Sequence, residues 1–184
     1  MASTPPLSDS WTPTTLAGAP SPRAYTSAVW TGARALVWGG QNTSNDLDLD
    51  TGGAYDPTAD SWTPTTLTGA PSARIWHAAV WSDQEMLVWG GCNGPANCNL
   101  ELLDGSRYDP ALDLWIEMTT QSAPGARRSH CGVWTGTSLI VWGGYTGSYS
   151  SYTSTGGVYK PRPNILFSDD FESGDFSVWN GKMQ

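Results

Sequence analysis

Basic residues are scarce in this 184-residue chain. It has 9 Lys+Arg against 17 Asp+Glu, giving a net charge of −8 and a pI near 4.4. A phosphate backbone would find no attraction here, which excludes nucleic acid as a partner. No apolar run approaches the roughly 18 residues of a membrane span. The opening MASTPPLSDS lacks the basic and apolar regions of a signal peptide. Charged residues of both signs amount to only 14%, and there are just two histidines and three cysteines. No Ser-His-Asp constellation and no phosphate-cradling glycine loop is present, so no catalytic residue, metal site or cofactor is expected. In their place stand 21 Gly, 13 Pro and 11 Trp. Turn chemistry is therefore abundant where helix-forming stretches are missing, the composition of an all-β chain.

The tryptophans are periodic. Trp11, Trp62 and Trp115 lie 51 and 53 residues apart, and the same steps separate Arg23, Arg74 and Arg127, then Trp30, Trp81 and Trp134, then Trp38, Trp89 and Trp142. Tyr55, Tyr108 and Tyr159 reverse the order, which places both extra residues in one loop of the second repeat. Constant spacing everywhere else means that packing fixes the repeat and leaves that loop free to vary.

Each repeat divides into four short strand candidates. The first reads RAYTSAVW, RIWHAAVW or RRSHCGVW, and it turns through Thr-Gly or Ser-Asp into the second, RALVWGG, EMLVWGG or SLIVWGG. The third centres on Tyr55, Tyr108 and Tyr159 and is stopped by Pro57, Pro110 and Pro161, which cannot donate to a ladder. The fourth contains Trp11, Trp62 or Trp115. Four antiparallel strands of this length make one propeller blade.

With its Gly-Gly doublet, Tyr-Asp-Pro and fourth-strand Trp in three copies, the chain resembles the kelch repeat family, in the Trp-rich form found in bacterial proteins. The resemblance covers 9–161 and implies kelch-type β-propeller blades, three blades' worth per chain. The repeats run about 20–67, 71–119 and 124–161, with a strand at 9–15 completing the last blade. Residues 162–184 form a tail or the truncated start of another domain. Its Phe-Glu-Ser-Gly segment resembles one that follows repeats in exported bacterial proteins, and so points to an extracellular or cell-surface location. Three blades are too few to close a ring of about four to eight, so a homodimer completing a six-bladed ring is expected, with the Trp11 strand closing its own last blade or crossing to the partner's.

Repetition in register assigns the nine repeated tryptophans to packing, and likewise His77 and His130; Trp76 could pack or bind. Cys131 reads as a small buried filler. Cys92 and Cys98 could close a disulfide in the variable loop or remain free thiols. Asp46, Asp48 and Asp50 alternate as at the start of a calcium loop, but no acid stands at the twelfth position, and a solvated loop fits better.

The resemblance places the loops between strands two and three on one face. It implies a non-enzymatic binding propeller for a protein or glycan ligand; the alternatives are an extracellular enzyme on a kelch scaffold, galactose-oxidase-like or carbohydrate-active, or a fragment of a longer propeller without independent function. Arg23, Arg74 and Arg127 should ring the channel mouth, either holding an acidic ligand or tying down loop carbonyls. Beside them Tyr145, Tyr149 and Tyr152 form amphipathic contact area in a Ser/Gly-rich loop.

Overall fold

The computed structural model describes residues 9–42, 44–94, 98, 100–147 and 151–162. Among these residues every regular element is a strand, and no helix is long and apolar enough to cross a membrane. Tyr149 and residues 163–184 lie outside the described residues.

Blade 1 is the sheet β1 (Ser27–Trp30), β2 (Ala35–Trp38), β5 (Gly52–Asp56) and β6 (Ser61–Pro64), paired antiparallel in that order. Blade 2 repeats it with β7 (Ala78–Trp81), β8 (Met86–Trp89), β11 (Gly105–Asp109) and β12 (Leu114–Glu117). Blade 3 has β13 (Cys131–Trp134), β14 (Leu139–Trp142) and β15 (Gly156–Tyr159), with no fourth strand among the described residues. This is the all-β, kelch-type blade architecture read from the repeats.

The loops between strands two and three carry more order than polar composition suggests. They fold into two-residue ladders, β3 (Gln41–Asn42) with β4 (Leu47–Asp48) and β9 (Cys92–Asn93) with β10 (Leu100–Glu101). In blade 3 the corresponding contact is a single bridge, Tyr145 with Tyr152.

The second strands are apolar at every position because each of their faces is built to meet a neighbouring blade, and in the middle blade all four residues of β8 are buried. Side chains alternate across a strand. Met86 and Val88 of β8 therefore join Leu36, Trp38 and Trp115 between blades 1 and 2, while Leu87 and Trp89 join Val80, Met118 and Leu139 between blades 2 and 3. Each fully buried side chain of this size contributes about 1.5–3 kcal/mol. The core is thus two inter-blade seams, with β1 and β13 each packing on β7.

Three sequence expectations change. Residues 9–16 hold no strand, and Trp11 is 100% exposed. The segment is fixed beside blade 1, where Thr15 N–H donates to Asp60 Oδ1 (2.9 Å) and the Thr15 carbonyl accepts from Trp62 Nε1 (3.1 Å). That leaves it at the opposite end of the chain from blade 3, with blade 2 between them. Of the nine repeated tryptophans, Trp38, Trp89 and Trp115 are buried, but Trp11, Trp30 and Trp142 are exposed. The exposed ones stand at the two open ends of the blade row. Cys131 is exposed rather than a buried filler. Its counterpart Ala78 is covered by Gly132 of the following blade, and no described strand follows blade 3.

Candidate binding face

Every connection from the second strand into the loop face passes through a Gly-Gly pair with left-handed backbone, φ +70° and +94° at Gly39 and Gly40. A Cβ on Gly40 would stand 2.6 Å from the Ala24 carbonyl oxygen. The doublet is required because the outgoing loop lies directly against the chain entering the innermost strand. That close approach draws the three loops together at one end of the blades, and direct bonds join them. Gly40 N–H donates to Arg74 O (3.0 Å), Gly91 N–H to Arg127 O (2.8 Å), and Gly94 N–H to Asp48 Oδ2 (3.0 Å).

The repeat arginines fasten this end. Arg74 is fully buried; its Nη1 donates to Gly90 O (3.0 Å) and Asp104 O (3.1 Å), its Nε to Ser72 O (2.9 Å), and it pairs with Asp104 Oδ1 at 3.2 Å. Arg127 does the same with Gly143 O, Thr155 O and Gly125 O, and Arg23 with Gly39 O, Thr51 O and Ser21 O. A guanidinium has five donors. Here they point at loop carbonyls and hydroxyls, the second of the two roles weighed from sequence. Burial lowers the affinity of all three for their proton, yet at any working pH they remain charged.

The histidines belong to the same joints. His77 packs edge-on against Trp38 (5.5 Å) and accepts from or donates to Ser27 Oγ at 2.7 Å; His130 packs against Trp89 (5.1 Å). Burial, reinforced by the neighbouring repeat arginine, pushes His77 down to about 3 and His130 to about 4. Both are neutral packing groups at pH 7. Among the described residues no cluster of three or more His, Cys, Asp or Glu could hold a metal.

What the face offers outward is a row of π systems. Two residues past each repeat arginine the backbone turns left-handed, at Tyr25 (φ 55°), Trp76 (φ 53°) and Ser129 (φ 51°). This geometry is uncommon for bulky side chains and is a form of strain that accumulates at functional sites. It sets Tyr25 edge-on to Trp76 at 5.3 Å. The Arg128 guanidinium lies 5.3 Å from the Trp76 ring and 5.5 Å from that of Tyr145, and Tyr145 stacks on Tyr152 at 4.3 Å with their hydroxyls bonded. Tyr25 and Tyr152, at the two ends, are exposed. The middle is held by Arg128, which donates to Cys98 O (2.9 Å) and pairs with Glu101 (3.1 Å). Cys92 and Cys98 are disulfide-bonded, Cα–Cα 5.3 Å, and fix the carbonyl that Arg128 needs.

The structure thus brings Tyr145 and Tyr152 to the end of the molecule that Arg23, Arg74 and Arg127 fasten. Arg128 and Tyr25 escaped the sequence reading. Their signal is departure from the repeat: Arg128 stands where the other repeats have Ala24 and Ile75.

A family model for the KLHDC2/KLHL20/DRC7 kelch-repeats domain matches residues 25–161. The chain belongs to the kelch-repeat family. As a family, kelch repeats mediate protein interaction, and the matched segment holds all three blades and the loop face. Relatives include the Ras guanine nucleotide exchange factor F of Dictyostelium discoideum, 28% identical across 84% of this chain and 13% of that protein. The flagellar outer-arm dynein alpha chain of Chlamydomonas reinhardtii is 31% identical over 83% of this chain and 3% of its own. Human Kelch domain-containing protein 3 is 27% identical over 71% and 34%. This kelch chain therefore spans about a third of the human relative and far less of the other two.

Proposed function

We propose that the chain is a non-enzymatic kelch interaction module whose loop face grips an extended segment of a partner protein along the row Tyr25, Trp76, Arg128, Tyr145 and Tyr152. The observation that carries this reading is the continuity of the row: five side chains from three successive blades in contact, two of them, Tyr25 and Trp76, on left-handed backbone, with exposed aromatic ends. Tyrosine and tryptophan supply rigid contact area at low entropic cost, and such residues dominate binding hot spots. The loop between the second and third strands of blade 1 carries Asp46, Asp48 and Asp50, and the chain as a whole is acidic, with a net charge of −8. A segment bearing aromatic and cationic side chains suits this face better than an acidic peptide or uronic-acid glycan, because the three arginines that would hold an acid are occupied. The Cys92–Cys98 disulfide supports an oxidising, extracellular setting.

Selection of peptides from a displayed random library against the intact protein tests the reading. Selected peptides should be rich in aromatic and basic residues, and should lose at least about tenfold in affinity on Tyr25→Ala or Tyr152→Ala while Arg34→Ala, at the far end of blade 1, changes nothing. Peptides indifferent to both tyrosines, or a preference for sulfated or uronic glycans on an array, would overturn it. Arg74→Ala should lower the melting temperature instead of acting on affinity alone.

A further inference from the structure

The fourth strand of each complete blade is held by one repeated set of contacts. In blade 1, Asp60 Oδ1 accepts from Tyr55 OH (2.7 Å) and Thr15 N–H (2.9 Å), and Trp62 stacks on Tyr55 (5.0 Å) while its Nε1 donates to Thr15 O (3.1 Å). In blade 2, Asp113 accepts from Tyr108 OH (2.7 Å) and Thr66 N–H (2.9 Å), and Trp115 stacks on Tyr108 (4.9 Å) and donates to Thr66 O (3.1 Å). Trp115 also packs on Trp38 of the preceding blade at 5.3 Å. Stepping once more along the repeat, the receiving groups are Tyr159, Thr119 and Trp89. All three line one open cleft along the edge of β15 that no described strand covers. No described residue supplies an Asp and Trp to them.

The chain contains the matching strand. Residues 9–15 read DSWTPTT, identical over seven positions to 60–66, the strand that fills this role in blade 1. Asp9 and Trp11 therefore have the spacing that Tyr159 and Thr119 require. The tail 163–184 has no Asp-x-Trp. Within one chain the segment cannot serve its own cleft while Thr15 is bonded to blade 1, since blade 2 separates the two, and a closed ring of three blades falls below the roughly four that propellers need.

We propose that the β15 cleft is the docking site for residues 9–15 of a second copy of this chain, reciprocally, so that two chains close a six-bladed ring. Asp9 bonds Tyr159 and Thr119 N–H, and Trp11 stacks between Tyr159 and Trp89. By the register of Ala54 with Thr63, Thr12 lies opposite Val158. The same closure sets the exposed Trp142 face of blade 3 against the exposed Trp30 face of blade 1, continuing the seams already present between blades 1, 2 and 3. The inference is independent of what the loop face binds.

Two full-length chains with one free cysteine each test it, Thr12→Cys and Val158→Cys, both with Cys131→Ser and with the Cys92–Cys98 disulfide kept. A short thiol crosslinker should join them at twice the chain mass when mixed, with no dimer from either alone. Adding Trp11→Ala to the first should abolish the product. The idea is overturned if the mixture gives no product, if product persists without Trp11, if a chain carrying both cysteines crosslinks only within itself, or if product requires deletion of 163–184, which would make the tail the occupant.

Discussion

Blades 2 and 3 are built from one pattern and differ in what lies beside them. Leu87 and Trp89 of blade 2 are 0% and 4% exposed, whereas Ile140 and Trp142, at the same repeat positions, are 39% and 58% exposed. The residues are of like type, the strands pair in the same register, and the hairpin turns match. A propeller blade therefore does not contain its own core. It contributes half of two seams, and an apolar face becomes core only when the next blade arrives. Exposed apolar faces of this extent and free strand edges are what proteins ordinarily cover.

Substitution of the fourth-strand tryptophan sharpens the contrast most. Trp115→Ala should cost about 3–5 kcal/mol in denaturant unfolding, the range for truncating a large buried aromatic. Trp11→Ala should leave the unfolding of dilute, dissociated chains nearly unchanged and act on association alone. Equal losses at the two positions would break the distinction between a filled and an open blade.

A smaller effect is expected at the joint glycines. An alanine Cβ at Gly90 would meet His130 Cε1 at 2.6 Å and Arg127 O at 2.9 Å on a left-handed backbone, so Gly90→Ala should destabilise by roughly 1–3 kcal/mol. At Gly143 the nearest atom is Thr153 O at 3.8 Å, and Gly143→Ala should cost only the conformational strain. Thermal denaturation of both variants at low protein concentration measures the difference.

The weakest effect is on pH. His77 and His130 are held neutral when folded, by burial first and by Arg74 and Arg127 second. The unfolded chain takes up protons below about pH 6.5. Stability from these groups is thus complete above that pH and is lost as pH falls through 6.5 towards about 4 and then 3. Blade 1 has Thr26 at this position and contributes nothing. Melting temperature against pH should fall through this window, and His77→Gln should flatten the slope.

Most of the fold was legible because the repeat is a packing code. Constant spacing from Trp11 to Arg23 and from Trp30 to Trp38 reports fixed seams, and Pro57, Pro110 and Pro161 mark where third strands stop. The fate of Trp11, Trp142 and Cys131 was not legible, since periodicity states what a residue is built to meet, not whether its neighbour is there. The binding row was hidden for the opposite reason. Arg128 breaks the repeat, and the contacts of Tyr25 and Arg128 with Trp76 depend on left-handed turns at 25 and 76 that neither aromatic announces.

The claim that blade 3 is completed by another copy is tested most directly by the mass of the full-length chain in solution, measured by light scattering across a concentration series. The account predicts a species of about 39 kDa, twice the 19.7 kDa of one chain, that falls to one chain's mass on Trp11→Ala. A stable monomer of about 20 kDa at every concentration, unfolding in one cooperative transition, would contradict it.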